Sequence, residues 1–151
     1  MIGLSFILPN MPSDYLYKVF SGVKMSHYKW NIVEDEVLYS DMNGAEDSLF
    51  KSDVVDATQF SLCVSRKDYY LVFLDMKAFP LNCEIKDIQT YDEYLNSSCE
   101  IVFLCADSCF VDIYSKNKTV LQKIYDNCVS NDFEVNIITK ENDTRTKMSV
   151  L

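Results

Sequence analysis

Alternating apolar and polar positions predict β-strands along most of the chain. Residues 2–8 and 28–32 alternate in this way, as half-buried strands do. The apolar run at residues 69–74 is typical of a central strand covered on both faces. Strands are predicted at residues 2–8, 28–32, 37–39, 60–64, 69–76, 101–106, 110–114, 133–139 and 146–151. Tight turns are predicted at Glu34-Asp35 and at Asp107-Ser108.

Apolar residues spaced three and four positions apart predict helices after Ser13-Asp14, after Thr90 and after Asn117. These residues supply the side-chain oxygens that accept hydrogen bonds at a helix N-terminus, and Thr90 opens a capping-box pattern. A further short helix is predicted at residues 45–51 or at residues 53–58.

This order of elements predicts one α+β domain over residues 1–151. The sheet is expected to be mixed and largely antiparallel, with two to four helices packed on it. Parallel pairing is expected next to the first and the last helix. We see no internal repeat and no linker in the sequence.

The excess of acidic residues limits the classes of molecule that the protein is expected to bind. The chain has 23 acidic and 14 basic residues and a formal net charge of −9. Nucleic acids repel such a chain, because their binding rests largely on Lys and Arg that neutralise phosphates. A basic protein or a small ligand fits this charge better.

The apolar runs and the cysteines predict where the protein resides. No apolar run approaches the length of a membrane span, and the first residues carry no basic signal-peptide region. Six cysteines in a chain that can build its own core are expected to be reduced thiols. The sequence therefore predicts a cytoplasmic protein with no membrane partner.

The segment 34–56 concentrates negative charge. It contains eight acidic residues and one basic residue, Lys51. The segment is either a solvated loop or a surface that docks on a basic protein. It is not an EF-hand, since a loop aligned on Gly44 would place Tyr39 and Phe50 where the first and last oxygen ligands belong.

Aromatic residues next to this segment predict a contact surface. Tyr and Trp are favoured at interfaces because they bury a large area at low entropic cost. The predicted partner-binding residues are Tyr28, Trp30, Glu34, Asp35, Glu36, Tyr39, Asp41, Glu46 and Asp47.

A second candidate site is a pocket formed by Asp107, Cys109, Asp112 and Tyr114. Asp112 alternates in phase with Tyr114 on an apolar strand, so its carboxylate is expected to be partly buried. It is then either a reactive group in a pocket or the hydrogen-bond partner of a Tyr or Arg.

The sequence disfavours several kinds of catalytic, phosphate-binding and metal site. His27 is the only histidine, and glycine-rich phosphate loops are missing from a chain with three glycines. Cys99, Cys105 and Cys109 lack a visible fourth ligand for zinc. We therefore predict no metal, no cofactor and a binding role, with a small enzyme or ligand-binding protein as the alternative and a homo-oligomer as a third interpretation.

Short segments across the chain resemble a known family. They are Gly3-Leu4-Ser5-Phe6, Tyr28-Lys29-Trp30-Asn31-Ile32, Tyr69–Phe73, Ala78-Phe79-Pro80, Thr90–Tyr94, Ser98-Cys99-Glu100, Val111–Tyr114 and Thr144-Arg145-Thr146. On these residues the chain resembles a family of small bacterial proteins of unknown function, which implies no activity and no catalytic residues. In size and charge it is also similar to immunity proteins of bacterial toxin systems, which block basic toxins.

Overall fold

The strands form one antiparallel sheet. The computed structural model describes residues 1–39 and 46–151, with the backbone alone at position 46. The strands of that part are β1 (Gly3–Ile7), β2 (Tyr28–Tyr39), β3 (Glu46–Asp47), β4 (Val54–Val55), β5 (Tyr69–Pro80), β6 (Ile101–Ala106), β7 (Phe110–Ser115) and β8 (Glu134–Ile138). They pair in the order β3-β2-β5-β6-β7-β1-β8, and β4 also pairs with β2.

Every pairing between these strands is antiparallel. The parallel pairings expected next to the first and last helix are therefore wrong. Strand β1 lies between β7 and β8 and is antiparallel to both. The predicted hairpin at Asp107-Ser108 is confirmed, because β6 and β7 pair directly across that turn.

Four helices complete the described part of the chain: α1 (Tyr15–Phe20), α2 (Ala57–Val64), α3 (Tyr91–Leu95) and α4 (Lys118–Ser130). Two of the predicted caps are confirmed. The Thr90 hydroxyl accepts a hydrogen bond from the Glu93 N–H at 3.2 Å, and Asn117 Oδ1 accepts one from the Thr119 N–H at 2.9 Å. The predicted α+β class is confirmed.

The sheet is covered on both faces. On β6, Ile101 and Phe103 belong to the main core, which also contains the buried apolar residues of α1, α2 and α4. Val102 and Leu104 belong to a second buried cluster. Because neighbouring side chains of a strand point to opposite faces, the second cluster lies on the face opposite these helices.

The cover of the second face includes the chain end, residues 143–151, which we call the C-terminal strap. Its Met148 side chain is fully buried in the second cluster. The Met148 N–H donates to the Gln89 carbonyl, and the Tyr91 N–H donates to the Thr146 carbonyl, both at 2.9 Å. The predicted strand at 146–151 is wrong, because the strap forms only one isolated bridge, Thr90 to Lys147.

The predicted turn at Glu34-Asp35 is also wrong, because both residues lie inside the continuous strand β2. Strand β5 is equally long and pairs with β2 from end to end. A register shift between Ile32 and Glu34 makes Val33 an extra, bulged residue. The acidic run is therefore accommodated by a β-bulge rather than by a chain reversal.

Residues 60–64, predicted as a strand, belong to helix α2. The cause is a capping box at Asp56, whose carboxylate accepts the Gln59 N–H at 2.8 Å while the Gln59 side chain accepts the Asp56 N–H at 2.9 Å. Phe60 and Val64 lie one turn apart and are both buried. The helix predicted at 53–58 thus begins later, and residues 49–55 form no helix.

A buried ion pair lies on the second face beneath the strap. The Lys77 ammonium donates to Asp75 Oδ1, and both side chains are almost fully buried. The Val150 N–H of the strap donates to Asp75 Oδ2 at 3.3 Å. Burial raises the pKa of Asp75, and the Lys77 charge opposes this.

We predict that removing one partner of this ion pair lowers the free energy of unfolding strongly, whereas replacing both partners with apolar residues does not. Lys77→Met leaves a buried carboxylate without its cation and should lower the free energy of unfolding by about 3–5 kcal/mol. Asp75→Val combined with Lys77→Met should recover most of that loss. Urea denaturation measures both, and a double variant as unstable as the sum of the single variants would contradict the prediction.

Candidate functional site

A polar cleft lies on the second face of the sheet, over β7, β1 and β8. Its volume is about 440 Å³, which is within the usual range for small-molecule sites. Strand residues form its floor, and the loop after β8 and the start of the strap form its wall. The lining residues are Ser5, Asp112, Tyr114, Asn136, Ile137, Ile138, Asn142, Asp143, Thr144 and Arg145. We call it the β7-β1-β8 cleft.

The floor is a row of polar side chains in register across three strands. Ser5 on β1 lies opposite Asp112 on β7 and opposite Asn136 on β8. Directly paired residues of an antiparallel sheet have Cβ atoms about 5 Å apart on the same face. The register therefore brings a hydroxyl, a carboxylate and an amide together.

The neighbouring row on the floor requires a glycine. Gly3 on β1 pairs with Tyr114 on one side and Ile138 on the other. A Cβ atom at Gly3 would lie 2.5 Å from the Ile113 carbonyl oxygen and 3.1 Å from the Tyr114 ring. The missing side chain therefore allows the Tyr114 ring to lie close against β1.

Arg145 joins the strap to the floor. Its Nε and Nη2 donate to Asp112 Oδ2 at 2.9 and 2.6 Å, and its Nη1 donates to the Lys147 carbonyl at 3.2 Å. Both side chains of the ion pair are only partly exposed. Of the two alternatives for Asp112, the structure supports the hydrogen-bond partner of an arginine.

Asp143 forms the second link between wall and floor. Its Oδ1 accepts from the Tyr114 hydroxyl at 2.9 Å and from the Arg145 N–H at 3.1 Å. Burial and the neighbouring carboxylate raise the pKa of Tyr114. The phenol therefore stays protonated and remains a hydrogen-bond donor to Asp143.

Only half of the predicted pocket comes together. Asp112 and Tyr114 share the cleft, as their alternation on one strand predicts. Asp107 and Cys109 do not line it, because they lie at the turn between β6 and β7. Asp107 is exposed there and, like Ser108, has a positive φ.

The predicted aromatic contact surface is wrong. Tyr28, Trp30 and Tyr39 are 7%, 0% and 3% exposed, so they belong to the main core. The Trp30 ring stacks on Phe60 with ring centroids 5.0 Å apart, and Phe20 meets it edge-on at 5.6 Å. Alternation along β2 turns Tyr28 and Trp30 toward the helices, and the bulge at Val33 shifts the alternation by one residue, so that Tyr39 faces the helices as well.

Besides Asp56, which caps α2, a second acid of the 34–56 segment has a structural role. The Asp35 carboxylate accepts the N–H groups of Leu49 and Phe50, both at 2.7 Å, and burial raises its pKa. Glu34, Glu36 and Asp47 lie on β2 and β3. Asp41 and the side chain of Glu46 lie outside the described residues. Docking of a basic protein on this segment stays a prediction.

No sequence pattern predicts the site residues Arg145, Asp143, Ser5 and Asn136. Arg145 meets Asp112 across 33 positions of the chain, and no local pattern predicts such a contact. Alternation along β1 and β8 predicts on which side of its own strand Ser5 or Asn136 lies. Only the strand order shows that these faces are neighbours.

The chain matches the model of one known protein family. A family model described as a protein of unknown function, DUF2691, matches residues 1–149. The chain belongs to the DUF2691 family. This confirms the resemblance to an uncharacterised family, whereas the likeness to immunity proteins stays a prediction.

A curated relative shows the same full-length similarity to this DUF2691 chain. It is the uncharacterized protein YncE of Bacillus subtilis (strain 168), which is 35% identical over 150 residues that cover 98% of each chain. No solved structure matches this chain. None of the helices in the described part is long and apolar enough to cross a membrane, and a cytoplasmic location stays a prediction.

Within residues 1–39 and 46–151, no cluster of three or more His, Cys, Asp and Glu side chains could hold a metal ion. All six cysteines are free, and Cys99, Cys105 and Cys128 are buried. Burial raises the pKa of Cys105 to about 12, so this thiol is a poor nucleophile at neutral pH.

We predict that Arg145 holds the strap onto the sheet. Arg145→Gln should speed hydrogen exchange of the Met148 and Tyr91 amides several-fold, since a partly exposed ion pair stabilises by about 1 kcal/mol. Lys147→Gln removes an exposed charge from the same strap and is the matched control. Equal exchange rates in the two variants would show that the Arg145–Asp112 pair does not anchor the strap.

Proposed function

We propose that the protein binds a small polar molecule in the β7-β1-β8 cleft. The observation that carries this proposal is the convergence of polar side chains from three adjacent strands and the strap on one cleft. Small-molecule sites in proteins are concave and present a few polar groups at fixed positions. The paired strands fix the floor, and hydrogen bonds to Asp112 and Tyr114 fix the wall.

The burial of the aromatic residues favours this function over protein docking. A docking surface gains most of its affinity from a few buried anchors, which are often Tyr, Trp or Arg. Tyr28, Trp30 and Tyr39 are already buried in the core of this chain. The acidic segment then offers charge but lacks the aromatic anchors expected for it.

The side chains that line the cleft favour ligand binding over catalysis. Its lining has neither a histidine nor a cysteine. The two carboxylates each hold another group, Arg145 for Asp112 and Tyr114 for Asp143. Each carboxylate thus holds a protein group with one oxygen, which fixes its position and suits it to orienting a ligand.

We predict that a bound molecule perturbs the cleft and that filling the cleft removes this effect. Polar compounds screened by ¹H–¹⁵N NMR should shift the amides of Ser5, Asp112 and Asn136. Asn136→Trp places a large ring on the exposed floor position of β8 and should abolish these shifts without unfolding the protein.

Glu134→Trp is the matched control, since Glu134 is also exposed on β8 and lies outside the cleft lining. Shifts that survive Asn136→Trp, or that concentrate elsewhere in the molecule, would contradict the proposed function.

A further inference from the structure

The charged groups of the β7-β1-β8 cleft indicate the charge of its ligand. The lining contains the carboxylates of Asp112 and Asp143 and one cation, Arg145. The cleft therefore carries excess negative charge. An opposite charge on the ligand is favoured wherever such a site is partly shielded from water.

Arg145, the one cation among the described residues that line the cleft, already pairs with a carboxylate. Two nitrogens of Arg145 donate to Asp112 and the third donates to the Lys147 carbonyl. An anionic ligand would have to compete with the Asp112 carboxylate, whose Oδ2 accepts two charge-assisted hydrogen bonds from the guanidinium. The geometry therefore disfavours phosphates and carboxylates.

Two carboxylate oxygens of the cleft are open acceptors. Arg145 uses only Oδ2 of Asp112, and Tyr114 and the Arg145 N–H use only Oδ1 of Asp143. In the part of the chain that the structure describes, Asp112 Oδ1 and Asp143 Oδ2 accept no hydrogen bond. A ligand that satisfies them must bring N–H or O–H donors.

The geometry points to a primary amine as the ligand, bound as its ammonium ion between Asp112 Oδ1 and Asp143 Oδ2. An ammonium group has three donors and no acceptor, which matches two open carboxylate oxygens and the Ser5 hydroxyl. Ile138 and the Tyr114 ring provide an apolar wall for a short alkyl chain. This inference rests on the proposed function, since it names the ligand class of the same cleft.

Three probes of similar size separate charge from shape: butylammonium, 1-butanol and butyrate. Each is titrated into the full chain and followed by ¹H–¹⁵N NMR. Butylammonium should bind in the cleft at least about tenfold more tightly than either other probe, because hydrogen bonds to charged groups are the stronger ones. Raising the salt concentration should weaken its binding.

Asp143→Asn is the sharpest variant. The asparagine keeps an oxygen for the Tyr114 hydroxyl and the Arg145 N–H, so the strap stays in place, but the negative charge is lost. Butylammonium binding should weaken about tenfold. Asp107→Asn is the matched control: it makes the same change in net charge on the exposed β6–β7 turn, where Asn also accepts a positive φ.

The outcomes distinguish this inference from the proposed function. Butyrate or butanol binding in the cleft more tightly than butylammonium would overturn the amine inference and leave the proposed function standing. Equal weakening by Asp143→Asn and Asp107→Asn would also overturn it, since the effect would then be one of net charge. If no probe and no screened compound shifts the cleft amides, both proposals fail.

Discussion

The structure depends on the burial of its central strands on both faces. Strands β5 and β6 carry apolar side chains toward the helices. On the opposite face, Val102 and Leu104 of β6 and Phe79 of β5 belong to the second apolar cluster, and β5 also buries the Asp75–Lys77 pair there. Exposing that second face would cost roughly 25 cal/mol for each Å² of apolar area. The segment around α3 and the C-terminal strap provide the cover. Specific contacts of Arg145 and Asp143 hold the strap on this face.

The contacts that hold the strap also build the cleft. Asp112 and Tyr114 reach from the floor to Arg145 and Asp143 on the strap. Each link uses one oxygen of a carboxylate, and the other oxygen accepts no hydrogen bond in the described part of the chain. In the proposed binding mode, one oxygen of each carboxylate stabilises the strap and the other binds the ligand. The proposal therefore links the stability of the strap to the occupancy of the cleft.

Local patterns in the sequence predict much of the fold but little of the site. The caps at Thr90 and Asn117 and the strands β1, β6 and β7 depend on neighbours in the chain, and they are found as expected. The acidic run in β2 looks like a turn because a β-bulge leaves no local signature. Asp112 and Tyr114 could be placed on one face, but Arg145 could not be matched to Asp112, because that contact depends on how the strap folds back.

A crystal structure of the full chain grown with butylammonium would test the account most directly. We predict the ammonium nitrogen about 3 Å from both Asp112 Oδ1 and Asp143 Oδ2, with Arg145 still bound to Asp112 Oδ2. The account would be contradicted by an amine bound elsewhere on the molecule, or by an amine that enters the cleft only after Arg145 has left Asp112.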